Sequence, residues 1–143
     1  MAIRFFSDGI TFHLKDKRKI QHWLKTVASE EEKQIGDISY IFVSDKRILE
    51  INQQFLQHDY YTDIITFDDS DNKKISGEMY ISIDTVSSNA KEYQAEFHNE
   101  LLRVIVHGLL HLCGYNDKTE KGQEEMRHIE TKYLNVLEST SSM

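Results

Sequence analysis

Between Leu101 and Leu112 the chain reads Leu-Leu-Arg-Val-Ile-Val-His-Gly-Leu-Leu-His-Leu. A helix with apolar side chains around most of its circumference is stable only when other elements cover it on nearly every side. The rest of the chain must therefore fold around this segment. His107 and His111 interrupt the apolar surface four residues apart, so they lie one turn above each other on the same helix face. Buried imidazoles need partners, and this spacing lets both share one ion. Gly114 can take the left-handed conformation that ends a helix, turning the chain so that Asp117 approaches the two rings. His107, His111 and Asp117 are thus candidate metal ligands. Two neutral imidazoles and one carboxylate leave a position open on a tetrahedral ion, the arrangement of a catalytic zinc site. Asp117 has a competing role, because Asp-Lys-Thr-Glu over 117–120 has the form of a capping box for the last helix.

The cover has to come from the flanking elements. Ile3 to Phe6 reads as a first strand, followed by a turn at Ser7 to Gly9. From about Asp16 the pattern is helical, with Ile20, Trp23, Leu24, Val27 and Ala28 on one stripe. Lys15, Lys17, Arg18 and Lys19 at its start form either a solvated face or a phosphate-binding patch. Ile38–Val43 is a buried strand. Ser44 caps a helix carrying Ile48, Ile51 or Asn52, and Phe55, and a polar connection runs from Gln57 to Thr62. Ile64–Phe67 and Gly77–Ile83 are strands, the latter with Met79, Ile81 and Ile83 on one face. Thr85–Phe97 is helical with Val86, Ala90, Tyr93 and Phe97 inward. Asn99 caps the histidine helix, and a last helix spans about Thr119 to Leu137, followed by a frayed tail over 138–143. This alternation predicts an α+β fold: a mixed, mainly parallel, four-stranded sheet with packed helices and a buried central helix bearing the metal site.

A length of 143 residues suits one domain. No apolar run reaches membrane-spanning length and the N-terminus lacks a secretory layout, so no membrane partner and a cytoplasmic location are expected. Cys113 is the sole cysteine, which excludes an internal disulfide and suits a reducing compartment. The net charge of −7 argues against a general nucleic-acid binder but leaves room for a local basic groove. On the helical wheel His98 and Cys113 fall off the metal face, whereas His128 can approach from the last helix. Gly108 stands where helical zinc proteases carry their glutamate base, which disfavours peptide hydrolysis by that route.

The segment His107–Asp117, His-Gly-Leu-Leu-His-Leu-Cys-Gly-Tyr-Asn-Asp, resembles the H-G-x-L-H-L-x-G-Y-D-H signature of the YbeY-type endoribonucleases. Asn116 and Asp117 stand where that family has Asp and a third zinc-binding His. Residues 50–67 resemble L-N-x-x-Y-R-x-x-D-x-P-T-D-V-L-S-F through Asn52, Asp59, Thr62, Asp63 and Phe67, with Leu56 in place of the Arg and Tyr61 in place of the Pro. Residues 77–84 resemble G-E-I-x-I-S-x-D. The resemblance implies a zinc-dependent, single-strand-specific endoribonuclease acting in 16S ribosomal RNA 3′ end maturation and ribosome quality control, with the small ribosomal subunit as partner. It implies no catalytic side chain beyond the metal site. With Leu56 in place of the family Arg, either Arg103 or a lysine of the first helix substitutes as the cation, or activity is reduced. Three rival readings are a ribosome-associated factor with a purely structural metal, a metalloprotease-like hydrolase, and a two-His-one-carboxylate iron oxygenase.

Overall fold

The computed structural model describes residues 2–56 and 62–141. The elements in order are β1 (Ala2–Ser7), α1 (Lys17–Glu30), β2 (Gln34–Val43), α2 (Asp45–Leu56), β3 (Ile64–Asp68), β4 (Lys74–Ser82), α3 (Ile83–Glu92), α4 (Phe97–Leu112) and α5 (Glu120–Ser141). The strands form one sheet in the order β1-β2-β4-β3. β1 and β4 both run parallel to β2, and β3 closes the edge antiparallel to β4. The α+β, mainly parallel, four-stranded expectation holds.

Strand alternation divides the apolar residues between two faces. Ile38, Tyr40 and Phe42 of β2, with Met79 and Ile81 of β4, face the larger core, which also takes in Trp23, Leu24 and Val27 of α1 and the apolar surface of α4. Ile41 and Val43 point the other way, where Ile48 and Ile51 of α2 meet Ile65 of β3. α4 is therefore covered by the sheet, α1, α3 and α5, as its all-round apolar sequence requires. The Tyr40 hydroxyl donates to the Ile105 carbonyl (2.8 Å) and Trp23 Nε1 donates to the Tyr133 carbonyl (2.8 Å), so both buried aromatics have their polar atoms satisfied. Gly108 sets how closely α4 lies on the sheet. A Cβ there would stand 2.4 Å from Met79 Sδ and 2.9 Å from Ile64 Cδ1, so the residue without a side chain is the one that seats the histidine turn against β3 and β4.

Several boundaries depart from the sequence pattern. β4 ends at Ser82, whose Oγ accepts from the Thr85 amide (3.2 Å), so Ile83 opens α3 instead of ending the strand. α3 stops at Glu92, which leaves Tyr93 at its C-cap with 56% exposure instead of inward. Phe97 starts the next helix and packs edge-on to Phe12, so α4 begins before Asn99, and Glu96 occupies the N-cap position without a side-chain cap bond. Ser44 does cap α2, accepting from the Arg47 amide (3.2 Å). Phe55 is 58% exposed despite its place on the α2 stripe. α5 continues through Ser141, past Leu137 and into the stretch read as a frayed tail. The connection through Gln57, His58, Asp59 and Tyr61, and the Leu56 side chain, lie outside the described residues.

Candidate metal centre

α4 ends as its sequence requires. Gly114 adopts φ +111°, and the Gly114 and Tyr115 amides donate to the His111 and Leu110 carbonyls (3.0 and 3.1 Å). This is the paired C-terminal motif that only a left-handed residue completes without strain. The reversed chain brings Asp117 back over the histidine face. His107 Nε2 lies 3.4 Å from Asp117 Oδ2, and His111 Nε2 lies 3.5 Å from Asp117 Oδ1. The donor atoms of the three residues all fall within 4.8 Å of one another. Ligands held at about 2.0–2.1 Å on a tetrahedral zinc stand roughly 3.4 Å apart. The two imidazole–carboxylate separations, each to a different oxygen of Asp117, are close to that edge length, so the donor set fits such an ion.

The cap of α5 is a different residue. Thr119 Oγ1 accepts from the Gly122 amide (3.0 Å), which relieves Asp117 of the capping role and leaves its carboxylate turned toward the rings.

Sequence reasoning missed Glu130. This α5 residue is 5% exposed, and its Oε2 lies 2.5 Å from His107 Nδ1. An ionised carboxylate only accepts, so Nδ1 carries the proton and Nε2 presents its lone pair toward Asp117. Glu130 Oε1 in turn accepts from Arg103 (3.0 Å), whose other terminal nitrogen donates to Thr131 Oγ1 (3.1 Å). Arg103, the candidate substitute cation, is thus engaged in holding the carboxylate that orients His107. Burial disfavours the charged form of His107, yet the Glu130 hydrogen bond and charge, with Asp117 and Asp63 adding to them, outweigh it and raise its pKa. Burial and the neighbouring His107 charge lower that of His111, against the pull of Asp117 and the Tyr115 carbonyl.

Asp63 also faces this centre. Burial raises its carboxyl pKa against the opposing influence of His107. Asp63, His107 and Asp117 line two adjoining clefts. One, of about 480 Å³, extends along α3 and α5 past Tyr93 and Arg127. The other, of about 510 Å³, follows β3 past Thr62 and Thr66 to the buried Asn52. Of the candidate ligands, His107 and Asp117 line both clefts and His111 lines the second. His98 and His128 are not in that group. Burial pushes the Cys113 thiol up to about 12, so it is not a thiolate near neutrality. Lys15, Lys17, Arg18 and Lys19 line neither cleft.

An α+β domain in which two helical histidines and a returning carboxylate converge at a cleft defines a class of domain that could hold a metal ion. The comparisons narrow this class. The family model described as Endoribonuclease YbeY matches residues 6–138. The protein named Endoribonuclease YbeY of Parabacteroides distasonis is 49% identical over 137 residues, covering 96% of each chain. Its namesake in Bacteroides thetaiotaomicron is 48% identical over 134 residues, covering 94% of this chain and 98% of the relative. The solution structure of TM1509 from Thermotoga maritima is 30% identical, with a TM-score of 0.70 over 99% of this chain and 92% of that one. The chain belongs to the YbeY family.

Proposed function

We propose that this protein is an endoribonuclease that cuts single-stranded RNA at a zinc centre held by His107, His111 and Asp117, one ion per chain. The observation that carries the reading is the convergence of two imidazole nitrogens and one carboxylate oxygen within 4.8 Å of one another beside two adjoining clefts, in a chain of this family. An ion held by these residues would supply Lewis acidity toward a phosphodiester oxygen and a bound water. The chain's own residues set up that chemistry. Glu130 keeps the His107 proton on Nδ1, and Arg103 keeps Glu130 in place. With a divalent ion bound, the Asp117 carboxylate would lower the net charge of the site from about +2 to about +1 and so moderate both effects relative to an all-histidine site. With Gly108 at that position, the chain lacks the glutamate base that the helical-protease route uses. The family names support RNA as the substrate class.

The same reading places the chain in 16S ribosomal RNA 3′ end maturation and ribosome quality control, on the small subunit in the cytoplasm, as one domain over 1–143. Among the described residues no helix is long and apolar enough to cross a membrane. The test is cleavage of single-stranded RNA by purified protein with and without chelator, beside elemental analysis. The reading expects chelator-sensitive RNA cleavage, intact casein-type peptides, and zinc in the protein. RNA cleavage unchanged in a His107→Ala, His111→Ala double variant would overturn it.

A further inference from the structure

The cleft along α3 and α5 has a lining that the metal chemistry does not use. Tyr93 is 56% exposed at the end of α3, an unusual position for a large aromatic ring. It lines the same cleft as His107 and Asp117, with Asn89 one turn earlier on α3. The Arg127 guanidinium lies 5.9 Å from the centre of the Tyr93 ring, a cation–π distance. The charged part of the remaining lining is mainly acidic: Asp63, Glu100, Glu120, Glu124 and Glu130 outnumber Arg103 and Arg127, and Glu130 already engages Arg103. A phosphate is repelled by such walls. A neutral base with amino-group donors is not.

We infer that this cleft is a nucleobase subsite, in which a base of the RNA strand adjoining the scissile phosphate stacks on Tyr93 with its amino edge toward the carboxylates. The inference rests on the ribonuclease reading and specifies which part of the substrate enters which cleft. The volume of about 480 Å³ is in the range of small-molecule sites. Aromatic stacking accepts any base because every base presents a π-face. The acidic lining adds discrimination, since cytosine presents a donor amino group where uracil presents an acceptor oxygen.

The experiment is steady-state cleavage of short oligocytidylate and oligouridylate by the zinc-loaded protein. Tyr93→Ala is expected to raise KM about ten-fold with kcat nearly unchanged, because stacking binds the substrate without touching the reacting atoms. Tyr93→Phe and Tyr93→Trp should both retain the wild-type KM, and the wild type should show the lower KM for oligocytidylate. An unchanged KM in Tyr93→Ala, or a fall in kcat alone, would overturn the subsite. Equal KM for the two oligomers would overturn the amino-edge assignment. A wild-type protein that cleaves neither oligomer removes the ribonuclease reading. Fluorescence anisotropy of labelled oligocytidylate on the same loaded protein then decides the subsite by itself: affinity lost in Tyr93→Ala keeps it, and equal affinity overturns it.

Discussion

The two histidines occupy successive turns of one helix but are held in different ways. His107 is fixed across the α4–α5 interface by a buried carboxylate that is itself braced by Arg103, whose other terminal nitrogen donates to Thr131. His111 and Asp117 belong to the helix end, where the chain reverses at Gly114 and the Asp117 side chain is 39% exposed. One half of the site is set by tertiary packing and the other by a turn.

The largest effect should come from removing an imidazole. His107→Ala and His111→Ala are each expected to abolish stoichiometric zinc binding, measured by elemental analysis after gel filtration. If the two halves differ as described, His107→Ala should also lower the stability of metal-free protein, since it leaves Glu130 buried beside an empty space.

Glu130→Gln sharpens the contrast. The amide cannot hold the Nδ1 proton as a charge-assisted partner, and losses of this kind cost about 10–100-fold in metal affinity. Competition against a zinc-binding dye reads this directly, and an unchanged affinity would remove the distinction between the two halves. On the turn side, Gly114→Ala forces an L residue to φ +111°. Open space surrounds the site, so the cost is conformational, about 1–2 kcal/mol. Chemical denaturation measures it, and a fall in zinc affinity should accompany it because Asp117 is displaced.

The smallest effect is the pH dependence of the metal-free protein. The pKa of His107 is raised in the fold, so its contribution is present in full below the ordinary imidazole value of about 6.5. That contribution is lost as pH rises through the folded value. Metal-free protein should therefore melt higher near pH 6 than near pH 8 by this term, and the difference should shrink in Glu130→Gln. Zinc binding has the opposite sign, because the ion competes with the proton for His107 and gains as pH rises.

The same division separates what the sequence could reveal from what it could not. The turn half was legible, because a histidine pair four apart, a glycine past the helix end and a carboxylate beyond it are local signals. The four strands and the mainly parallel sheet were legible from runs of β-branched residues separated by helical stripes. Glu130 was not. It lies 23 residues from His107, and on α5 it reads as one of many surface acids until the packing against α4 is known. The pairing of Arg103 with Glu130 is hidden from the sequence for the same reason. Tyr93 misled in the other direction, since its phase matched the α3 stripe but the helix ends at Glu92. The capping role of Asp117 was a fair alternative from Asp-Lys-Thr-Glu, and it is resolved only by the position of Thr119.

Zinc titration by calorimetry of the wild type, Asp117→Asn and Asp117→His tests the central claim most directly, with thermal stability recorded on the metal-free forms. A three-donor centre predicts one zinc per chain in the wild type, a sharp loss of affinity in Asp117→Asn and retention in Asp117→His. It also predicts that metal-free Asp117→Asn stays within about 0.5 kcal/mol of the wild type, because Thr119 caps α5. Full-affinity zinc binding by Asp117→Asn would contradict the account and leave His107 and His111 in need of another ligand.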